Sequence, residues 1–193
     1  EFDMDSRLLL HHIDFKRKVF QLDGKDYEMR DCLFPTIDPE NPYQLTEEEE
    51  EIVQKLHKSF TGSEKLRKHM KCIFRYGCMY NVCNSNLLFH ASMPMNADGT
   101  LKEVDILGKK YKGEALLKRV GQLIRTAYFA EEDNSEKAFA RDFIWYLWCG
   151  KNSPAFDKSK MATFERYFLT DKETHKEVKG YYYTLRDRQD ICD

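Results

Sequence analysis

The segment formed by residues 86–94 combines residue types that could form part of a metal or phosphate site. Its apolar run, residues 87–89, ends at His90, and the small residues Ala91 and Ser92 follow before a proline. Such a run predicts a buried strand that delivers one imidazole to a sheet edge, where a ring nitrogen could ligate a metal ion. The alternative interpretation is a core histidine that hydrogen-bonds a carbonyl at the strand end. The spacing alone does not separate the two.

A second candidate site is the polar segment that follows Cys149. Loops that combine lysine, asparagine, serine and arginine can hold phosphate oxygens through charge-assisted hydrogen bonds. No Gly-x-x-x-x-Gly-Lys loop occurs in the sequence, so nucleotide binding of the P-loop kind has no support. The alternative interpretation is a solvated, positively charged loop. The candidate phosphate ligands are Lys151, Asn152, Ser153, Lys158, Lys160 and Arg166.

The overall composition is that of a folded domain without a large excess of charge. Of 193 residues, 41% are hydrophobic and 13% aromatic, which allows a substantial core and argues against a disordered tail. Lysine and arginine number 31 against 33 acidic residues, which gives a net charge of −2. This balance argues against a nucleic-acid partner, because phosphate contacts require a basic surface. It leaves room for a local cationic pocket for a small phosphorylated ligand.

The six cysteines indicate a reducing compartment. They include no Cys-x-x-Cys pair, and the chain is longer than the usual disulfide-rich secreted domain. We therefore expect reduced, mostly buried thiols in a cytoplasmic protein. No signal-peptide pattern opens the sequence, and no apolar stretch approaches the roughly 20 residues that a membrane span needs. A membrane partner is therefore not expected.

Short hairpins must position the two candidate sites. The pair Asp23-Gly24 predicts a tight turn between two strands, because both central residues of such a turn need positive φ. The pair Asn84-Ser85 predicts a turn that leads into the strand before His90, and Gly108 predicts a third hairpin.

Amphipathic helices are predicted around these hairpins. Thr46 and Glu49 form a capping box that starts a helix, and Gly62 ends it. Ser63 and Ser135 are predicted to cap two later helices, and a further helix is expected from about residue 113 to residue 129. The pattern Thr170-Asp171-Lys172-Glu173 also has the form of a capping box. The first helix is predicted to have one apolar face, made of Ile52, Val53, Leu56 and Phe60.

We predict an α+β chain that is predominantly helical, with a few short strands and hairpins. Residues 1–45 hold a hairpin and a proline-rich connection, residues 46–112 a helical pair and the strands that carry His90, and residues 113–193 a helical region. Residues 1–193 form a single segment, and both ends look cut. We therefore expect a fragment of a larger protein.

Several stretches of this sequence resemble the class III bacterial fructose-1,6-bisphosphatases, and the similarity extends over essentially the whole chain. That family is similar to the calcineurin-like metallophosphoesterases, so the resemblance implies a part of a larger calcineurin-like α/β fold. The stretches are Phe34-Pro35-Thr36-Ile37-Asp38-Pro39, Asn86-Leu87-Leu88-Phe89-His90, Met93-Pro94, Asn96-Ala97-Asp98-Gly99, Tyr146-Leu147-Trp148-Cys149-Gly150-Lys151-Asn152-Ser153-Pro154 and Lys160-Met161-Ala162-Thr163-Phe164-Glu165-Arg166-Tyr167-Phe168.

The resemblance implies that His90 ligates one of two divalent ions, with Mn²⁺ expected. A glycine-led pair usually follows this histidine in the related enzymes, whereas Ala91 and Ser92 stand here. The implied reaction is hydrolysis of the C1 phosphate of D-fructose 1,6-bisphosphate in gluconeogenesis by a two-metal mechanism. We expect the cationic segment after Cys149 to hold the second, non-reacting phosphate.

Most metal ligands of the family come from Gly-Asp-x-x-Asp-Arg-Gly and Gly-Asn-His-Asp/Glu motifs, which this sequence does not contain. The resemblance therefore implies a middle-to-late segment, and we predict that the 193-residue chain alone is inactive. Two alternatives stay open: a non-catalytic oligomerisation or regulatory domain of the same enzyme, and a calcineurin-like phosphoprotein phosphatase. An incomplete sheet exposes strand edges, so a homo-oligomer is also compatible with the sequence.

Overall fold

The chain forms two compact units that interleave along the sequence. A computed structural model describes residues 8–131, 134–185 and 187–192. The first unit takes the described residues up to Met70 and then Ala162–Lys176. The second unit takes Lys71–Met161 and the described residues from Glu177 onwards.

A three-stranded antiparallel sheet forms the base of the first unit. Its strands are β1 (Ile13–Asp14), β2 (Val19–Leu22) and β3 (Lys25–Glu28), in that order. Asp23 and Gly24 have φ values of 52° and 73°, which confirms the predicted hairpin turn between β2 and β3. A short 3₁₀ helix, Leu9–His12, precedes the sheet.

The core of the first unit joins this sheet to a helix from much later in the chain. Helix α5 (Thr163–Phe168) places the Phe164 ring 4.9 Å from the Phe20 ring, measured between centroids. A second 3₁₀ helix, Lys172–His175, follows it, and the Asp171 carboxylate accepts from the amide of Glu173 over 2.8 Å. Asp171, rather than Thr170, is therefore the cap, and the predicted capping box is wrong. The buried apolar side chains are Ile13, Phe20, Met29 and Leu169.

Two helices follow one another after the proline-rich connection. Helix α1 spans Glu47–Thr61, and the Thr46–Glu49 capping box is present as predicted, with both of its hydrogen bonds. Helix α2 spans Glu64–Tyr76, and the Ser63 hydroxyl accepts from the amide of Leu66 over 3.2 Å. No residue of α1 is buried. Its apolar face, Ile52, Val53, Leu56 and Phe60, is exposed.

Two hairpins begin the second unit. Strands β4 (Tyr80–Cys83) and β5 (Asn86–Phe89) pair with each other, as do β6 (Val104–Ile106) and β7 (Lys109–Tyr111). The predicted turns are confirmed, with positive φ at Asn84, Ser85, Leu107 and Gly108. The prediction that β5 is buried is wrong. Leu87 and Leu88 point to opposite faces of the strand and are 50% and 54% exposed, so neither face is buried at these two positions.

The core of the second unit lies between α3 (Gly113–Phe129) and α4 (Ser135–Cys149). The Asn134 side chain accepts from the amide of Lys137 over 3.0 Å, so Asn134 caps α4 and the prediction of Ser135 as its cap is wrong. Short helices α6 (Tyr181–Leu185) and α7 (Gln189–Cys192) complete the described chain. The buried core side chains are Ile106, Leu116, Val120, Leu123, Ala140, Phe143 and Leu147.

The predicted fold class is confirmed: the described residues form an α+β chain of helices and short antiparallel strands. None of the described helices is both long enough and apolar enough to cross a membrane. Cys32, Cys72, Cys78, Cys83 and Cys149 are free thiols. Among these only Cys149 is buried, so the prediction of mostly buried thiols is wrong for the described part of the chain.

Candidate functional site

His90 is the first residue after β5, and its side chain is exposed. On its N-terminal side, the Phe89 ring packs edge-on against the Tyr182 ring of α6, with 5.6 Å between centroids. On its C-terminal side, Ala91 adopts a φ of 59°, in the left-handed region that non-glycine residues seldom occupy. The backbone therefore turns sharply after the histidine instead of continuing as a strand.

Ser92 ties this turn to the loop that follows α4. Its amide donates to the carbonyl of Pro154 over 3.2 Å, and its hydroxyl donates to Oδ2 of Asp157 over 2.6 Å. Ser92 is 0% exposed and Asp157 is 3% exposed. The segment after His90 is therefore attached to the loop through a buried, charge-assisted hydrogen bond.

The loop that carries Lys151 and Asn152 is built around Ser153. The Ser153 hydroxyl donates to the carbonyl of Leu147 over 2.7 Å and accepts from the amide of Ala155 over 3.2 Å. The carbonyl of Ser153 also accepts from the amide of Asp157 over 2.8 Å. Ser153 is fully buried, so its hydroxyl holds the loop together from inside.

Lys158 is engaged in an ion pair. Its ammonium lies 2.7 Å from the Glu177 carboxylate, and the Glu177 side chain is 10% exposed. The neighbouring Ser159 forms two hydrogen bonds with the backbone of Val178. Its amide donates to the Val178 carbonyl over 2.8 Å, and its hydroxyl accepts from the Val178 amide over 3.0 Å. The Lys158 charge is therefore largely compensated within the protein.

The six candidate phosphate ligands divide between the two units. Lys151, Asn152, Ser153, Lys158 and Lys160 belong to the second unit, whereas Arg166 lies on α5 of the first unit. Lys151 is exposed, and none of the ion pairs found among the described residues includes it. Within the loop, Lys151 is thus the cation best placed to meet an external anion.

Asp157 also influences a tyrosine on α4. The pKa of Tyr146 is raised to about 12, first because the phenol is buried and second because the Asp157 carboxylate repels the phenolate. The phenol therefore remains neutral at physiological pH.

The role of Asp157 and Gly180 in this site has no local signal in the sequence. Ser92 and Asp157 are 65 positions apart, and no pattern in the sequence marks Asp157 as a site residue. Gly180 donates its amide to the Asp157 carbonyl over 2.8 Å and belongs to a third segment. Only the fold brings these three segments together.

A metal pair is not supported by the described residues alone. They contain no group of three histidine, cysteine or acidic side chains that could hold a metal ion. His90 offers one imidazole, whereas zinc sites, for example, use three or four protein ligands. The described residues could therefore supply one ligand to a metal ion and do not by themselves form its site.

Comparison with known proteins identifies the relatives of this chain. It is 66% identical over 194 residues to a protein of Phocaeicola vulgatus and 62% identical over 193 residues to one of Bacteroides fragilis. It is 50% identical over 192 residues to one of Clostridium acetobutylicum. All three relatives are named fructose-1,6-bisphosphatase class 3, and each alignment covers 100% of this chain and 29% of the relative.

The chain therefore spans less than a third of the length of these relatives. No solved structure matches it. The family model described as Firmicute fructose-1,6-bisphosphatase matches residues 1–193, which is the whole sequence. The chain belongs to the Firmicute fructose-1,6-bisphosphatase family.

Proposed function

We propose that the protein containing this chain is a fructose-1,6-bisphosphatase. It hydrolyses the C1 phosphate of D-fructose 1,6-bisphosphate to give fructose 6-phosphate and phosphate, in gluconeogenesis. The observation that carries this proposal is the 66% identity, over the whole of this chain, to a relative that bears the name. The free thiols of the described cysteines support a cytoplasmic location.

The cofactor in this proposal is a pair of divalent ions, with Mn²⁺ as the candidate. His90 supplies one ligand from the end of β5, and its exposure leaves the imidazole open to an ion. The described residues contain no group of three metal-ligating side chains, so at least part of the remaining ligand set must come from elsewhere in the longer protein. Because the site is incomplete here, we expect no appreciable turnover from the 193-residue chain.

The second phosphate of the substrate is assigned to the loop after α4. Lys151 is the leading ligand because it is exposed and outside the described ion pairs, with Asn152 beside it. Lys158, bonded to Glu177, serves mainly to hold the loop in place. Binding at a distant phosphate can position the reacting end of the substrate.

Phosphate release by the longer protein tests the proposal. The protein is assayed with fructose 1,6-bisphosphate and Mn²⁺, beside His90→Ala and the exposed control His69→Ala on α2. Removal of a ligand to a catalytic ion is expected to lower kcat on the order of 100-fold or more, whereas the control retains activity. Equal activity of the two variants, or activity on phosphopeptides in place of the sugar, would contradict it.

The alternative of a non-catalytic interaction domain has one observation in its favour. The apolar face of α1, Ile52, Val53, Leu56 and Phe60, is exposed, and faces of this kind commonly mark interfaces. Substitutions on this face that change oligomeric state while leaving kcat unaltered would favour that role.

A further inference from the structure

We infer that Ser92 and Asp157 form a lock that fixes the segment carrying His90 to the loop carrying Lys151, and that both are positioning residues for the proposed reaction. This inference deepens the proposed function and rests on it. The lock consists of the side-chain bond between the two residues and the backbone bonds on either side of it.

Three hydrogen bonds define the lock: two join the segment after β5 to the loop after α4, and the third joins that loop to the segment before α6. The Ser92 hydroxyl donates to Oδ2 of Asp157 over 2.6 Å, and the Ser92 amide donates to the Pro154 carbonyl over 3.2 Å. The Gly180 amide donates to the Asp157 carbonyl over 2.8 Å. The segment after β5, the loop after α4 and the segment before α6 are thereby connected at one point.

Burial makes the central bond strong and its loss costly. Both side chains are almost completely buried, so neither reaches solvent to bind a ligand directly. A carboxylate in such a place needs donors, because a buried acceptor without one retains its full desolvation penalty. The geometry around it is also restricted: Asp157 has a φ of 44°.

Ser92, one half of the lock, lies only two positions after His90 in the chain. Only Ala91 separates His90 from Ser92, and its left-handed conformation fixes the direction in which the chain leaves the strand. Before His90, the contact between Phe89 and Tyr182 anchors the other side. His90 is therefore held between two anchors, although its own imidazole is exposed.

Asp157, the other half of the lock, is connected to Lys151 through Ser153. The Ser153 carbonyl accepts from the Asp157 amide over 2.8 Å, and Ser153 lies two positions after Lys151. A shift of Asp157 is therefore expected to move the loop, and a shift of Ser92 to move His90. The lock sets the separation between the group proposed to act at the reacting phosphate and the group proposed to hold the distant one.

Hydrogen exchange measured by mass spectrometry tests the lock in the 193-residue chain itself. Ser92→Ala and Asp157→Ala are each expected to raise exchange roughly tenfold in residues 90–94 and 153–157 together. Ser159→Ala is the matched control, since it removes another hydroxyl that binds the loop to the segment near Val178 without touching the His90 segment. It is expected to raise exchange only near residues 158–160 and 176–180.

Two conservative variants keep the test decisive if an alanine variant unfolds. Asp157→Asn retains an oxygen acceptor for Ser92 and is expected to stay near the original exchange rates in residues 90–94. Ser92→Cys fills the same space with a weaker donor and is expected to give a smaller increase in the same two segments. The lock is overturned if neither Ser92 variant raises exchange in both segments, or if Ser159→Ala raises it in both.

Kinetics of the longer protein test the positioning role. Ser92→Ala is expected to lower kcat about tenfold, because His90 is displaced from the reacting phosphate. The KM for fructose 1,6-bisphosphate is expected to change by less than about twofold. Ser159→Ala is expected to leave kcat unchanged, and equal losses in the two variants would overturn the role. If the unmodified longer protein releases no phosphate, the proposed function fails, and the exchange result alone decides the lock.

Discussion

Gly180 lies against Asp157 so closely that a side chain cannot be added: a Cβ at Gly180 would fall 2.0 Å from Oδ2 of Asp157. We therefore predict that Gly180→Ala lowers the free energy of unfolding by at least about 2 kcal/mol, because either the buried carboxylate or the backbone must move. Urea denaturation followed by circular dichroism measures the change.

Gly121→Ala is the matched control for that prediction. Gly121 lies inside α3, and its added Cβ would meet only the Arg125 Nη1 atom at 3.2 Å, at the end of a flexible side chain. Because alanine favours a helix interior, this variant is expected to be neutral or more stable by about 0.5–1 kcal/mol. Similar losses from both substitutions would show that the contact with Asp157 is not what makes Gly180 necessary.

Tyr146 is expected to make stability depend on pH in the alkaline range. Its pKa rises from an ordinary value near 10 to about 12 in the folded chain, so the folded state holds the phenol proton more tightly than the unfolded state. The resulting stabilisation, on the order of 2–3 kcal/mol, is complete below pH 10 and is lost as pH rises towards 12.

Comparison with Tyr146→Phe isolates this contribution, because the variant lacks the titrating group. The difference in unfolding free energy between the two proteins should change between pH 10 and 12 and stay constant below that range. Asp157→Asn should also lower the Tyr146 pKa partway, since it removes the second cause of the shift. A Tyr146 phenol that ionises near pH 10 in the folded chain contradicts the prediction.

The two lysines of the loop are predicted to serve different purposes. Lys158→Ala breaks a part-buried ion pair with Glu177 and should cost about 1–3 kcal/mol of stability, because the Glu177 carboxylate loses its partner. Lys151→Ala should change stability by less than about 0.5 kcal/mol, since this side chain is exposed. In the longer protein, Lys151→Ala should instead raise KM for the bisphosphate.

A double-mutant cycle checks the first half of this prediction. Lys158→Ala combined with Glu177→Gln should destabilise by less than the sum of the two single changes, because the pair is already broken by either one. Additive losses would place the role of Lys158 elsewhere. An unchanged KM in Lys151→Ala would show that Lys151 does not bind the substrate phosphate.

The apolar face of α1 should make the 193-residue chain bind hydrophobic dyes and self-associate. Leu56 and Phe60 are 54% and 64% exposed, so lysine at both positions should reduce dye fluorescence and apparent mass in light scattering. Gln54→Lys adds charge to the same helix outside this face and should have little effect. Equal reductions from both changes would attribute the effect to charge rather than to the face.

Local chemistry was sufficient to predict most elements of the fold. The turn at Asp23-Gly24 and the capping box at Thr46 and Glu49 depend on neighbouring residues only, and both are present. The first residue of α4 is harder to predict, because Asn134 and Ser135 are both good N-caps and the sequence does not choose between them.

The remaining differences arise from contacts between distant residues. The run at Leu87 and Leu88 correctly predicts a strand. Apolar composition indicates only that these side chains favour burial, and it does not show whether another part of the fold covers them. The bond between Ser92 and Asp157 joins positions 65 residues apart, and neither residue stands in a pattern that indicates the other. The site therefore became visible only when the fold placed its segments side by side.

The interleaving of the two units also determines the order in which the molecule can be completed during synthesis. Arg30 donates to the carbonyl of Leu169, which is translated 139 positions later, and Leu169 fills the core beside Phe20 and Met29. The apolar side of the β1–β3 sheet therefore stays without Leu169 until the ribosome has produced α3, α4 and the residues that follow them. Contacts this distant in sequence slow folding, so the N-terminal sheet is the region where a nascent chain most needs protection by chaperones.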